Sequence, residues 1–190
     1  MPIVETKVLS RPNTSVPFFN ETDTYATVRT PSIVSALADG SMVNVYTKSE
    51  DQLTQTLTQT YTDLTAYSAC DTGMSIELDA AHYNYTISNG ITAVTYTQTG
   101  IDAPFTQTIT YSIPSNADLT ANIEYAITSL QTTISGHPKL SNLQVNTDSV
   151  AAVFQFDNSA DFTSNYLRDT HFAALIQPLS GTRTIEYKLV

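Results

Sequence analysis

Alternating apolar and polar positions run through most of this chain and predict β-strands. The clearest case is the last nine residues, Thr182 to Val190, where Ile185, Tyr187 and Leu189 fall on one face. Alternation of period two is typical of a strand whose two faces have different surroundings. Similar stretches predict strands over Leu53–Thr62, Ile91–Thr99, Phe105–Ile113, Leu143–Thr147 and Val150–Phe156.

Between these strands, apolar residues recur at helical spacing. Leu64 and Tyr67 begin one such stretch. Another contains Leu119, Ile123, Ala126, Ile127, Leu130 and Ile134. A third, through Ile76, Ala80, Tyr83 and Ile87, reaches Asn89-Gly90, which either ends a helix or forms a hairpin turn. The spacing predicts amphipathic helices that pack on a sheet.

A short motif, Asp-(Leu/Phe)-Thr-(Ala/Ser), follows three of the strands and begins at Asp63, Asp118 and Asp161. We interpret these aspartates as helix-start residues, because an acidic side chain in the first turn meets unpaired N–H groups and the positive end of the helix dipole. Ser115 and Asn158 each lie three residues earlier, as in a capping box. The recurrence fits either an internal duplication or the general preference for Asp and Thr where a strand leads into a helix.

The order of elements predicts an α+β fold. Residues 42–190 are predicted to form three strand–helix–strand passes with helices packed on β-sheet. Residues 1–41 are punctuated by Pro12, Pro17 and Pro31 and are predicted to form an extended N-terminal arm or edge strand. Such an arm either packs on its own domain or lies along a neighbouring subunit. Its candidate interface residues are Ile3, Val4, Val8, Val16, Phe18 and Phe19.

Charge is scarce in this chain and mostly negative. Charged residues make up 14%, and 8 Lys+Arg against 18 Asp+Glu give a net charge of −10. Few scattered cations argue against a nucleic-acid partner, because such binding needs clustered Lys and Arg. No apolar stretch is long enough for a membrane span or a secretory signal, so we expect no membrane partner. Uncharged, threonine-rich strands expose edges that pair readily, which favours coverage by neighbouring copies in a homo-oligomer.

Motifs that carry chemistry are weak. The triplet Asp71-Thr72-Gly73 matches that of aspartic proteases, but it follows a predicted helix and lacks a second copy. Cys70 is the single cysteine and is interpreted as a buried apolar residue. The histidines His82, His137 and His171 lack metal-ligand spacing. We therefore predict no catalytic residues, no cofactor, no metal and no enzyme activity.

The N-terminal segment Met1 to Asn13, the lysine-poor Thr/Asn/Tyr composition and the short α+β passes resemble those of tailed-bacteriophage virion structural proteins. The resemblance implies a non-enzymatic component of the capsid, neck, tail or baseplate. It would be made in the host cytoplasm, located in the virion, and assembled with itself and other virion proteins. The alternative is a carbohydrate- or receptor-binding fibre or adhesin module, and a small hydrolase using Asp71 is a third hypothesis.

Overall fold

A computed structural model describes residues 1–74, 76–112, 139–165 and 182–190, together with Thr128. The chain divides into two compact units, Met1–Ile101 and Asp102–Val190. Each unit contains one four-stranded sheet in which every described strand pairing is antiparallel. The α+β class predicted from the sequence is confirmed.

Unit 1 (Met1–Ile101) places its first strand near the middle of the sheet. Its strands are β1 (Ile3–Ser10), β2 (Met42–Lys48), β3 (Thr54–Tyr61) and β4 (Thr92–Thr99), in the spatial order β2-β3-β1-β4. Its helices are α1 (Asp23–Val28), α2 (Pro31–Asp39), α3 (Leu64–Gly73) and α4 (Ile76–Ser88). The first two helices connect β1 to β2, and the other two connect β3 to β4. This β-α-β-β-α-β topology is that of a ferredoxin-like unit.

Unit 2 (Asp102–Val190) repeats the sheet of unit 1. Its strands are β5 (Phe105–Ser112), β6 (Leu140–Val145), β7 (Ser149–Phe156) and β8 (Thr182–Leu189), in the order β6-β7-β5-β8. Numbered within the unit, this is again 2-3-1-4. Residues 159–165 are helical. The predicted helix containing Leu119 to Ile134, and with it Asp118, lies outside the described residues.

The predicted arm at residues 1–41 is instead part of unit 1. Strand β1 pairs with β3 on one side and with β4 on the other, and residues 23–39 hold α1 and α2. The boundary between units lies after Ile101 and not after residue 41. Pro31 occupies the first turn of α2, where its missing N–H costs nothing, so it begins a helix. Among the described strands, the connection from β1 to β2 is therefore one more than the three passes predicted within residues 42–190.

The candidate interface residues of the predicted arm pack largely within unit 1. Ile3, Phe18 and Phe19 are buried, with exposed fractions of 1%, 0% and 5%. Val4, Val8 and Val16 are half-buried. The Phe19 ring packs edge-on against Tyr25 and His82, at centroid distances of 5.7 and 5.2 Å. The prediction that these six side chains form an intersubunit surface is not supported at the three buried positions.

Arg11, Glu21 and Lys48 form an ionic cluster that connects the segment after β1 to the β2–β3 hairpin. The Arg11 guanidinium is buried; it donates from Nε to the Gln52 carbonyl and from Nη1 to the Val16 carbonyl, both at 2.8 Å. Glu21 forms an ion pair with Lys48 and accepts a hydrogen bond from the Phe18 N–H at 3.0 Å. Burial alone would raise the pKa of Glu21, but Lys48, the Phe18 amide and Arg11 outweigh it and lower the pKa.

One face of the unit 1 sheet is uncharged, because threonines occupy every second position of β3. Gln55 and Tyr61 of β3 are buried, so Thr54, Thr56, Thr58 and Thr60 lie on the opposite face. Their partners across the sheet are mainly Thr, Val and Ser, among them Val4, Thr6, Val8, Ser10, Val43, Val45 and Thr47. Association of this face or of the strand edges with another copy remains a prediction.

The two described helix-start aspartates occupy different positions. Asp63 is the N-cap of α3, and its Oδ1 accepts a hydrogen bond from the Ala66 N–H at 2.9 Å. Before the helix at residues 159–165, the corresponding cap is Asn158, whose Oδ1 accepts from the Asp161 N–H at 3.0 Å. Asp161 itself accepts from the Asp157 N–H and pairs with Lys139 at 2.6 Å. Asp63 therefore corresponds structurally to Asn158, three residues before Asp161.

We predict that Asp63→Ala lowers the free energy of unfolding by about 1 kcal/mol, because it removes the N-cap acceptor of α3. Asp63→Asn should retain most of the stability. Urea denaturation measures both, and Thr65→Ala, at an exposed position two residues later, is the matched control. Equal stability of Asp63→Ala and the wild type would contradict the capping role.

We predict that the stabilisation from Glu21 depends on pH. Its lowered pKa means that the contribution is complete above the pKa of an unfolded glutamate, about 4.3, and is lost as the pH falls through the lower folded-state pKa. The difference in unfolding free energy between the wild type and Glu21→Gln should therefore shrink from pH 7 to acid pH. Glu50→Gln, at an exposed position between β2 and β3, serves as the control. A constant difference across this range would contradict the ionic role of Glu21.

Candidate functional site

A buried carboxylate lies on the helix-facing side of the unit 1 sheet. Glu5 of β1 has an exposed fraction of only 4%. Its Oε1 accepts hydrogen bonds from two phenol groups, Tyr67 at 2.7 Å and Tyr96. Gln98 donates from Nε2 to the Tyr67 hydroxyl at 2.9 Å, and Lys7 Nζ lies 3.7 Å from Glu5 Oε2. We call these five residues the Glu5 cluster.

Three elements position the Glu5 cluster. Glu5 and Lys7 are two residues apart on β1, so both project from the same face of the sheet. Their antiparallel partners on β4 are Gln98 and Tyr96, respectively. Tyr67 comes from α3, four residues after its N-cap, and its ring packs edge-on against Tyr61 at 4.9 Å. The cap at Asp63 therefore also determines where the Tyr67 hydroxyl meets the sheet.

Unit 2 has a different chemistry at the equivalent positions. Ile3 pairs with Tyr61 and Phe105 pairs with Phe156, each joining the start of a first strand to the end of a third. Two residues further along the first strand, Glu5 therefore corresponds to Gln107. The same register makes Lys7 equivalent to Ile109, Tyr96 to Ile185 and Gln98 to Tyr187. The helix caps make Tyr67 equivalent to Phe162, because each lies four residues after its cap.

At these described positions, the centre of unit 2 is neutral and aromatic. Phe105, Phe156 and Phe162 pack with ring centroids 5.0 to 5.9 Å apart. Gln107 donates from Nε2 to the Tyr187 hydroxyl at 2.9 Å. An equivalent sheet is therefore built in the same chain with an amide in place of the carboxylate. Because burying a carboxylate is costly even when it is hydrogen-bonded, the fold alone does not explain Glu5.

The Asp71-Thr72-Gly73 triplet lies inside a helix and does not form a protease-like site. All three residues belong to the last turn of α3. Asp71 is buried, and a Cβ at Gly73 would clash with Ser32 of α2, so the glycine permits close helix packing. Cys70 is also buried, and burial together with Asp71 raises the pKa of its thiol. This environment favours the unreactive thiol form.

The histidines and remaining acids do not assemble into a metal site in the part of the chain that the structure describes. No group of three or more His, Cys, Asp or Glu side chains there is arranged to hold an ion. His82 packs on Phe19, while His137 and His171 lie outside the described residues. Among the described helices, none combines the length and apolar character needed to cross a membrane.

The Glu5 cluster was missed at the sequence level. Glu5 and Lys7 lie on the buried face of a segment that the prolines indicated to be an arm. Their signal is the alternation Ile3, Glu5, Lys7, which places charges in line with a buried isoleucine. Tyr67, Tyr96 and Gln98 lie 62, 91 and 93 residues after Glu5 and carry no local motif.

Comparison with known proteins identifies no family. No family model matches the chain, and no curated protein matches it. Solved structures give only weak likenesses. A proposed monooxygenase from Lactobacillus acidophilus is 10% identical with a TM-score of 0.31, covering 100% of this chain and 93% of that one. A proposed monooxygenase from Fusobacterium nucleatum is 12% identical with a TM-score of 0.31, covering 99% and 95%.

An anthrone oxidase-like protein is 7% identical with a TM-score of 0.31, covering 99% of this chain and 91% of that one. At these values no residue role transfers to this chain. These three structures are named for a monooxygenase or an oxidase-like protein, and none of them is a virion protein. This finding contradicts the predicted phage virion role, in capsid, neck or tail, and the prediction that the chain is not an enzyme; both are wrong. The predicted virion location and partners remain untested.

We predict that Tyr67→Phe destabilises the protein by about 1–3 kcal/mol, since it removes a donor from a buried carboxylate and the acceptor of Gln98. The cost should be smaller in a Glu5→Gln background, because a neutral amide tolerates the loss of a donor better. A double-mutant cycle by urea denaturation measures this coupling. Tyr85→Phe, which removes an exposed hydroxyl bonded to the Pro17 carbonyl at 2.8 Å, is the control. Strictly additive costs would contradict the pairing.

Proposed function

We propose that unit 1 binds a small molecule at the Glu5 cluster and that Glu5 accepts a hydrogen bond or a proton from it. The observation that carries the proposal is the contrast between equivalent positions, with a buried carboxylate in unit 1 and an amide in unit 2. Buried ionisable groups that the fold does not require are concentrated at functional sites.

The hydrogen bonding of Glu5 supports a defined orientation for this chemistry. Both phenol hydroxyls donate to Oε1, which fixes the carboxylate plane, while Oε2 faces Lys7. Lys7 and Tyr96 are only half-buried, so they form the solvent side of the cluster. A ligand with an O–H or N–H group could approach Oε2 from that side. In this arrangement Oε2 is a charged hydrogen-bond acceptor whose orientation the two phenols hold.

The proposal replaces the non-enzymatic virion role and differs from the hydrolase hypothesis for Asp71. It takes no residue assignment from the structures named as oxygenases or oxidases. It requires only a binding site at Glu5 with a preference for ligands that donate a hydrogen bond.

We predict that phenol binds the protein more tightly than anisole, its methyl ether, by about tenfold, as expected for a hydrogen bond to a charged acceptor. NMR titration should show the shifts at the amides of Glu5 and Gln98. The preference should fall several-fold in Glu5→Gln, because a neutral amide oxygen is a weaker acceptor.

The control for this titration is Glu186→Gln, which changes an exposed glutamate on β8 that pairs with Lys188. It should leave the preference for phenol unchanged. Equal affinities for phenol and anisole, or the same preference in Glu5→Gln, would remove the support for the proposed function.

A further inference from the structure

The side of the unit 1 sheet opposite the Glu5 cluster carries no charged residue on its four described strands. We call this side the open face; it consists of the alternate threonines of β3 and the residues that pair with them and continue the sheet on the same side. On β4 the open face contains Thr95, Thr97 and Thr99. Every open-face side chain that the register assigns is a threonine, a valine or a serine.

The open face is accessible to solvent. Val43 and Val45 of β2 each have an exposed fraction of 51%. The open-face threonines of β4 are exposed, and those of the inner strand β3 are half-buried between their neighbours in the sheet. The two valines and the threonine methyl groups are removed from water only if another surface covers them, which makes the open face a candidate interaction surface.

The same side of the unit 2 sheet carries charge. By register with the first strand of each unit, Glu186 and Lys188 of β8 correspond to Thr97 and Thr99 of β4. The two charged side chains form an ion pair at 2.9 Å and are largely exposed. Charged side chains on an exposed sheet are a common means of preventing association with other copies. Unit 1 lacks this protection at the equivalent positions.

The charge of the whole chain favours the open face as the contact between copies. The net charge is −10, so two copies repel each other wherever their acidic surfaces meet. A second copy meets no such repulsion from the side chains of the open face. An uncharged surface is also compatible with an identical surface, as a two-fold symmetric contact requires.

We propose that the open face of unit 1 packs against the open face of a second copy and forms a symmetric dimer. The two sheets lie face to face about 10 Å apart, as in a β-sandwich. Valine side chains and threonine methyl groups are buried between them, and the threonine hydroxyls bond to each other or to bridging water. The dimer is independent of the proposed function, because it uses the side of the sheet opposite the Glu5 cluster.

The size of the open face predicts a weak dimer. Four strands about 4.8 Å apart, each with about seven residues at 3.3 Å per residue, cover roughly 450 Å² per copy. The total for two copies is smaller than the roughly 1,600 Å² of a typical stable interface. We therefore expect dimers at about 0.1–1 mM protein and monomers at about 1 µM.

Sedimentation equilibrium of the full-length protein across this concentration range tests the proposal. The average mass should rise from that of a monomer towards that of a dimer. Raising the salt concentration from about 0.05 to 0.5 M should tighten the dimer several-fold, because salt screens the repulsion between the two negative copies. A dimer joined by ion pairs would weaken instead, and that result would contradict an uncharged contact.

Two substitutions at Val45 test whether the open face is the contact. Val45→Glu and Val45→Lys should each raise the dissociation constant at least tenfold, because both bury an unpaired charge. The lysine variant distinguishes burial from repulsion, since it makes the chain less negative and would strengthen a dimer that repulsion alone limits. Val34→Glu, at a valine of α2 with an exposed fraction of 47%, is the matched control and should leave the dissociation constant almost unchanged.

NMR spectra at low and high protein concentration locate the contact. Concentration-dependent shifts should appear at the amides of Val43, Thr58 and Thr97 and not at that of Glu186. A monomer at 1 mM, or a dimer that both Val45 variants leave intact, would overturn the proposal. Shifts confined to the outer strands β2 or β4 would indicate pairing of strand edges and would also overturn it. Urea denaturation establishes that each variant is folded.

Discussion

The burial of Glu5 in the middle of a sheet is the constraint on which unit 1 depends. A carboxylate removed from water needs compensating donors, and three separate parts of the chain supply or support them. Tyr67 must come from a helix that begins at a fixed residue, Tyr96 and Gln98 must come from β4 in register, and β1 must be an inner strand. One polar contact set therefore couples the start of α3 to the register of the sheet.

The two units show that one sheet topology is built with different side-chain chemistry at its centre. Unit 2 fills the equivalent space with phenylalanines and a single amide–phenol pair, which is the less costly way to build a core. Unit 1 keeps charge where the same architecture does without it. The proposed binding site therefore belongs to unit 1, and unit 2 has the same sheet topology with Gln107 in place of Glu5.

Period-two alternation predicted most strands, and the Asp63 motif with helical spacing predicted the start of α3. The two patterns together were sufficient to predict the α+β class. The prediction for residues 1–41 was wrong for two reasons. Pro31 begins a helix, and the charged residues Glu5 and Lys7 on the buried side of β1 give an inner strand the sequence pattern of an exposed one. The recurring Asp-(Leu/Phe)-Thr motif fitted either a duplication or a general preference at helix starts. It aligned Asp63 with Asp161, whereas the caps are Asp63 and Asn158. The Glu5 cluster could not be predicted, since its members meet only through sheet register and helix packing.

The central claim is that Glu5 is the group that responds to ligand. The most direct measurement is the carbon NMR shift of the Glu5 side-chain carboxyl carbon with and without phenol, with the Gln107 side-chain carbonyl carbon as the internal reference. The account predicts that phenol moves the Glu5 signal while the Gln107 signal stays in place. An unmoved Glu5 signal at saturating phenol, or equal movement of both signals, would contradict it.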